Sequence, residues 1–218
     1  MTKEILYSFR RCPYAIRVRW ALLVCEIKVE IREIDLKNKP LDFQKKSSTQ
    51  TVPILIKKNE EIIEESLEII LWAISEAKKE TIKQIYLPNN KKKEIFEIIH
   101  ENDSAFKYHL DRFKYSSRFN SIDRDYHYRK SVEILKKWNK RLINNKYFFG
   151  EIPTIADWCL WPFVRQFKIA CESQKKINYL DLPLRNWLYL FESHKDFATL
   201  MYKYDLWNPS FEKNYFPI

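Results

Sequence analysis

The sequence predicts an α/β half joined to an all-α half, and three observations carry that expectation. Up to about residue 78, apolar runs that read as strands alternate with helical patterns, in the order βαβ, short helix, ββ, helix. Beyond 79–90, a stretch holding Pro88 that reads as a linker, every long segment has apolar residues at helical spacing. The 218 residues, 45% hydrophobic and 16% aromatic, suffice for two small domains with real cores. The expected division is therefore 1–78, a linker over 79–90, and 91–218.

In order along the chain, Ile5-Leu6-Tyr7-Ser8-Phe9 is an apolar run, and a strand is expected over 4–9. Residues 13–25 carry Ile16, Trp20, Leu23 and Val24 at helical spacing. Residues 28–34 alternate polar and apolar, the period of a half-buried strand. Strand, helix and strand make a βαβ unit. Leu41 to Lys46 is long enough for a short helix only. Pro53 cannot donate to a ladder, so it belongs at the first position of the strand that runs to Ile56. Lys58-Asn59 reads as a tight turn, with Asn in the left-handed conformation. Glu60 to Ile63 is the antiparallel return. Glu64-Glu65-Ser66 opens a helix to about Ala77. This order is that of a thioredoxin-like half. The all-α half follows, with helices expected over Lys91–Tyr115, Ser121–Ile143, Thr154–Cys171, Leu184–His194 and Asp196–Tyr204, then an aromatic tail, Phe211–Ile218. Thr154-Ile155-Ala156-Asp157 reads as a capping box with aspartate at its last position, which starts a buried helix.

Cys12 sits at the first strand-to-helix junction with Pro13 at the first helical position, where its missing N–H is no loss. A cysteine there faces unpaired backbone N–H groups and the positive end of the helix dipole, both of which favour thiolate over thiol. Arg10, Arg11 and Arg17 add positive charge nearby. Thiols so placed titrate at ~3.5–7.5 rather than ~8.5. Cys12 is therefore the candidate nucleophile. The other cysteines, Cys25, Cys159 and Cys171, fall in helical apolar patterns and read as small buried hydrophobes.

Several classes are set aside. The cysteines and the four histidines show no metal-ligand spacing, so no metal is expected. No apolar stretch approaches the ~18 residues of a membrane span. Met1-Thr2-Lys3-Glu4 runs directly into the first strand with no signal peptide, so a cytoplasmic location is expected. The net charge of +10 is spread among glutamates, and Lys91-Lys92-Lys93 and Lys136-Lys137 lie beside apolar stripes. Solvated helix faces and a compositional bias, with Gly150 the single glycine, explain it better than a nucleic-acid surface.

A thioredoxin-like half followed by an all-α half resembles the cytosolic glutathione transferases over essentially the whole chain. Cys12-Pro13-Tyr14-Ala15 is similar to the active-site motif of their omega-like, cysteine-type members, and to that of glutaredoxins with Ala15 at the second cysteine. Leu36 to Pro40, Thr51-Val52-Pro53, Glu65-Ser66 and the capping box at 154–157 follow at the family's spacing. The resemblance implies that Cys12 exchanges disulfides with glutathione as co-substrate. It implies that Val52 offers its backbone to the cysteinyl part, aimed by a cis Pro53. Glu65 and Ser66 would hold the γ-glutamyl end, Lys39 would pair with the glycyl carboxylate, and Tyr14 and Leu36 would line the pocket. These are the groups that an anion with one ammonium requires. Gln50, Thr51 and Glu26 stand where the family often has glycine. Family members commonly dimerise, so a homodimer is expected.

Without a second motif cysteine, a monothiol cycle is the physical route: thioltransferase, deglutathionylation or dehydroascorbate-type reduction, on a small-molecule or protein disulfide. Conjugation to electrophiles needs a hydroxyl donor for the glutathione thiolate, for which Tyr7 or Ser8 would have to serve. The second substrate is expected between the halves, near Lys107, Tyr108, Asp111, Arg112, Lys114 and Tyr115. The competing class is a non-enzymatic binding or regulatory protein of the same fold.

Overall fold

The structure, a computed structural model, describes residues 3–79, 81–119, 122–177 and 179–218. The elements are β1 (Ile5–Ser8), α1 (Pro13–Val24), β2 (Val29–Glu33), α2 (Leu41–Lys46), β3 (Ile54–Ile56), β4 (Ile62–Ile63), α3 (Ser66–Glu76) and α4 (Thr81–Tyr86). Then come α5 (Lys92–Glu101), α6 (Lys107–Lys114), α7 (Arg124–Asn139), α8 (Ile155–Ser173), α9 (Leu182–Glu192), α10 (Phe197–Leu200) and β5 (Tyr215–Phe216). The α/β thioredoxin-like half and the all-α half are both present. The compact units, however, are Met1–Lys83 with Lys195–Ile218, and Gln84–His194. The stretch expected to be a linker holds α4, because only Pro88 breaks the pattern there. The segment 195–218, expected in the second domain, belongs to the first unit. Among the described residues, no helix is long and apolar enough to cross a membrane.

In the first unit the sheet order is β4-β3-β1-β2-β5. β1 pairs β2 in parallel, while β3 runs antiparallel to both β1 and β4. Side chains alternate across the sheet. Tyr7, Ile54 and Ile56 pack with Phe43 of α2 on one face. Ser8 and Glu33, directly opposite in the β1–β2 register, point to the other face. The β2 alternation suggested a half-buried strand, yet Glu30 and Glu33 are buried. The reason is the C-terminal tail: β5 pairs antiparallel with β2, Trp207 donates its backbone N–H to the Glu33 carbonyl (2.7 Å), and Lys213 pairs with Glu30 (3.0 Å). In the β3–β4 turn the left-handed residue is Glu60, not Asn59; the Asn59 side chain instead accepts the Glu61 N–H at 3.2 Å.

Glu26 and Gln50 also adopt left-handed backbone, with φ of 57° and 56°. These are two of the positions where the resemblance seen in the sequence implies a glycine. Glu26 ends α1: Glu26 N–H bonds Leu23 O and Ile27 N–H bonds Leu22 O, the two bonds of a Schellman turn. A side chain in this conformation costs roughly 1–2 kcal/mol. Against that, the Glu26–Lys79 ion pair is solvent-exposed and contributes little. Glu26→Gly should therefore raise stability by about 1 kcal/mol, read as a higher urea midpoint. Gln50→Gly should bring no such gain, because the Gln50 amide donates to the carbonyls of Gln44 (2.9 Å) and Ser47 (2.6 Å) and ties its own loop down.

The second unit is helical. α5 runs into α6 through a π-helical turn, Asn102–Phe106. Ser121, expected to open the next helix, lies outside the described residues; α7 starts at Arg124, capped by the Asp123 carboxylate on Tyr126 N–H (2.9 Å). Trp138, Trp158, Trp161 and Trp187 are fully buried. The capping box expected at Thr154 is present at the start of α8. Its aspartate does more than cap. Asp157, fully buried, accepts from Thr154 N–H (2.7 Å), Thr154 hydroxyl (3.1 Å), Phe148 N–H (3.0 Å) and the Trp187 indole (2.9 Å). The final helix of the sequence reading shrinks to the single turn α10.

Candidate active site

Cys12 is the N-cap residue of α1, in extended conformation, with Pro13 at the first helical position. Its backbone N–H bonds Phe9 O (2.9 Å), which closes the turn out of β1. The side chain is half-buried and its Sγ lies 3.5 Å from the Val52 carbonyl oxygen. The Val52–Pro53 peptide is cis. Residues 40 apart in sequence are thus brought together by the antiparallel pairing of β1 and β3. The remaining cysteines, Cys25, Cys159 and Cys171, are buried; burial pushes the Cys25 and Cys171 thiols up to about 12. They are poor nucleophiles at neutral pH.

The loop before Pro53 is held by one carboxylate. Glu64 accepts from Ser48 N–H (2.9 Å), Thr49 N–H (3.0 Å), Thr49 hydroxyl (2.7 Å) and Ser47 hydroxyl (3.2 Å). Its partial burial would raise the carboxyl, but these donors outweigh that and hold it at about 2. The folded-state titration lies below the usual ~4.3 of a glutamate. The stabilisation is therefore complete above that value and is lost as the pH falls toward about 2. Glu64→Gln should cost about 1 kcal/mol and flatten this acid dependence, with faster hydrogen exchange at the Ser48 and Thr49 amides.

Ser66 is the first residue of α3 and is buried. Its hydroxyl oxygen accepts from Arg17 through Nε (3.1 Å) and Nη2 (2.7 Å), and the same guanidinium lies 4.8 Å from the centre of the Tyr14 ring. Arg17 is thereby committed to linking α1 to α3, while Arg11 is exposed and lies over Phe9. The structure thus brings Cys12, Tyr14, Val52, Pro53 and Ser66 to one end of the first unit. Glu65, the N-cap residue of α3, is exposed beside Ser66, and its carboxylate has no bonded partner among the described residues. Leu36 and Lys39 lie on the loop between β2 and α2, Leu36 exposed and Lys39 half-buried.

Two hydroxyls that conjugation chemistry would need are spoken for or shut away. Tyr7 is buried; its hydroxyl donates to Asp42 and accepts from Arg32 Nη1 (2.6 Å). Burial, then the Asp42 bond, keep its proton on far above neutral pH. Ser8 is fully buried.

In the second unit, Lys107, Tyr108, Asp111 and Arg112 lie on α6, with Tyr115 at its C-cap. Lys107 and Asp111 form an ion pair. Arg112 covers the Tyr108 ring at 3.5 Å from its centre, and Tyr115 receives Arg118 at 4.1 Å. These positions are a ladder of paired charges and rings along one helix.

Two residues in the first unit escaped the sequence reading. Arg19 is fully buried; its Nη2 donates to the Arg10 carbonyl (2.8 Å). Glu33 is buried and accepts the Arg10 N–H at 2.5 Å. The signal that would have found them is a charge inside an element that is otherwise buried on every side.

Residues 6–81 match the family model described as glutathione S-transferase, N-terminal domain, and residues 109–188 that described as glutathione S-transferase, C-terminal domain. The chain is 28% identical over 165 residues to glutathione S-transferase omega-1 of Mus musculus, covering 75% of this chain and 66% of that protein's length. Among solved structures, glutathione transferase Omega 3C from Trametes versicolor superposes with a TM-score of 0.76 at 16% identity, over 94% of this chain and 90% of that one. A glutathione transferase family member from Pseudomonas fluorescens, solved with two glutathione bound, gives 0.75 at 15% identity, over 91% and 92%. The fold, the matched domains and the cysteine at the head of α1 agree: the chain belongs to the glutathione S-transferase family and is omega-like in character.

Proposed function

We propose that the protein is a glutathione-dependent thiol transferase that works by monothiol exchange at Cys12. The observation that carries this reading is the placement of the Cys12 sulfur, at a helix N-terminus and 3.5 Å from the Val52 carbonyl beside a cis-proline. The free edge of a backbone at such a proline pairs with an extended peptide-like ligand as a short strand does. Glutathione is such a ligand. Val52 would take its cysteinyl backbone, and the N–H groups at the start of α3 with Ser66 would take the γ-glutamyl carboxylate. Glu65 would take the ammonium, Lys39 the glycyl carboxylate, and Tyr14 and Leu36 the apolar flanks. Since Arg17 already occupies the Ser66 oxygen, what Ser66 offers a ligand is its backbone N–H and hydroxyl proton.

The chemistry balances without a metal or an external oxidant. The Cys12 thiolate attacks the glutathione sulfur of a mixed disulfide R–S–S–G; the R–S bond breaks, R leaves as thiolate and takes a proton, and Cys12–S–S–G forms. A second glutathione thiolate then attacks this bond, giving oxidised glutathione and restoring the Cys12 thiolate. With Ala15 at the position of a resolving cysteine, and Cys25, Cys159 and Cys171 buried, the second glutathione is the resolving group. Thioltransfer and deglutathionylation of proteins are the activities this cycle serves; in dehydroascorbate-type reduction the Cys12 thiolate would first add to a carbonyl of the substrate, a glutathione thiolate would attack the sulfur of that adduct so that the C–S bond breaks and ascorbate leaves with the electron pair, and the resulting Cys12–S–S–G would be resolved as above.

The test is incubation with oxidised glutathione followed by intact-protein mass measurement, with turnover of a glutathione mixed disulfide in parallel. One adduct per chain, reversed by reduced glutathione, together with turnover is the expected result. An unmodified mass and no turnover would leave a binding or regulatory protein of this fold.

A further inference from the structure

Beneath the Cys12 turn, three elements of the first unit contribute polar groups to one buried place. Ser8 and Glu33 face the same side of the sheet because they are paired across β1 and β2. Arg19 stands two helical turns beyond Cys12 on α1, so the two share a face of the helix. Its side chain runs back toward the helix N-terminus and bonds the Arg10 carbonyl (2.8 Å), while the Arg10 N–H bonds Glu33 (2.5 Å). The guanidinium and the carboxylate thus grip one residue of the loop that carries Cys12, Arg10, at its carbonyl and at its N–H. All three side chains are buried: Arg19 and Ser8 at 0% exposure and Glu33 at 6%. Nε and Nη1 of Arg19, Oε2 of Glu33 and the Ser8 hydroxyl have no hydrogen-bond partner among the described residues. A buried cation left with two unused donors is expensive unless its charge is used.

We propose that Arg19 and Glu33 are opposed positioning residues for Cys12: the Arg19 charge eases loss of the Cys12 proton, and the Glu33 charge restrains it. The inference rests on the reading of Cys12 as the reactive thiol.

The other charged and titratable groups at this place fit the assignment. Burial pulls the guanidinium down to about 10, against Glu33, Cys12 and Tyr204, which favour its charged form, so it is a cation throughout the neutral range. Burial pushes the Glu33 carboxyl up, opposed by the Arg10 N–H and by the charges of Arg19 and Arg10. Burial likewise pushes the Tyr204 phenol up to about 12, so it is neutral wherever Cys12 titrates. Arg17, which lies closer to Cys12 in sequence, is spent on Ser66 and Tyr14. An opposite charge within ~4–6 Å shifts a titration by 1–3 units, and a like charge shifts it the other way.

The experiment is the rate of alkylation by iodoacetamide across pH on the full chain without glutathione, with Cys12→Ser as blank. Arg19→Met should move the midpoint up by about one pH unit, so that below the midpoint alkylation slows about tenfold. Arg19→Lys should restore part of the shift. Glu33→Gln, which keeps an acceptor for the Arg10 N–H, should move the midpoint down. A merely structural role would change the limiting rate at high pH and leave the midpoint where it is, and that result would overturn the assignment. If Arg19→Met fails to fold, Glu33→Gln decides: an unmoved or raised midpoint rejects the proposal. The readout needs no turnover, so a chain that never turns over a mixed disulfide defeats the proposed function without touching this result, and the reverse also holds.

Discussion

Cys12→Ser should abolish the glutathione adduct and reduce mixed-disulfide turnover by about a thousandfold or more. A serine hydroxyl keeps the size and the place of the group but forms no disulfide, and it is not ionised at neutral pH. Melting temperature should change little, because serine keeps the size and place of the group and the cap bonds of the backbone do not depend on the side chain. Buried Cys25, Cys159 and Cys171 cannot substitute. If the variant retained more than about a tenth of the activity, the nucleophile would have to be another group, and the chemistry would have to be sought away from the head of α1.

Asp157→Ala should be the most destabilising single change in the second unit, at about 3–5 kcal/mol. The carboxylate gathers three N–H donors and one hydroxyl from the turn at Phe148, the start of α8 and Trp187 of α9. Burial pushes the carboxyl up, and only these four donors hold it back. Removing it strands Phe148 N–H, Thr154 N–H and the Trp187 indole where no water reaches. Asp157→Asn keeps one acceptor oxygen but turns an NH2 toward the Thr154 N–H, and should fall about midway. Denaturant unfolding followed by tryptophan fluorescence measures both. A loss under about 1 kcal/mol for the alanine variant would mean that the box merely caps α8 and does not tie α9 to it.

Features encoded in contiguous residues were legible in the sequence. The β1–Cys12–Pro13 junction, the bounds of α2 and the Thr154–Asp157 box depend on neighbours within a few positions. Long-range consequences were not. Tyr215-Phe216 is too short to show a strand period, so its pairing with β2 left no mark in the sequence pattern. That hidden pairing misled the reading of β2, whose Glu30 and Arg32 alternate with Val29 and Ile31 as if facing water. It also misplaced the boundary of the first unit. Thr81–Tyr86 was hidden by the nearby Pro88. In the site, the segments that hold Val52, Pro53 and Ser66 were marked by turn and helix-start residues, whereas Arg19 lay unseen in the apolar stripe of α1. Arg17 and Arg19 are two residues apart on one helix, and nothing local says that one reaches Ser66 and the other the Arg10 carbonyl.

The last strand to join the sheet is also the last to be synthesised. β2 is completed on its outer side by Tyr215 and Phe216, roughly 180 residues downstream. At ~5–20 residues per second, β2 waits on the order of ten to forty seconds on the ribosome as an unpaired edge. During that interval the carboxylate of Glu30 has no Lys213, and the Arg32 guanidinium no Trp207 ring. Unpaired edges are where nascent chains join one another, and inward-pointing charge is a known deterrent to that joining. Glu30 and Arg32, the two charged residues that look misplaced on this strand, are thus a guard on the nascent edge, and the tail that arrives last draws the guard into an ion-pair network through Lys213.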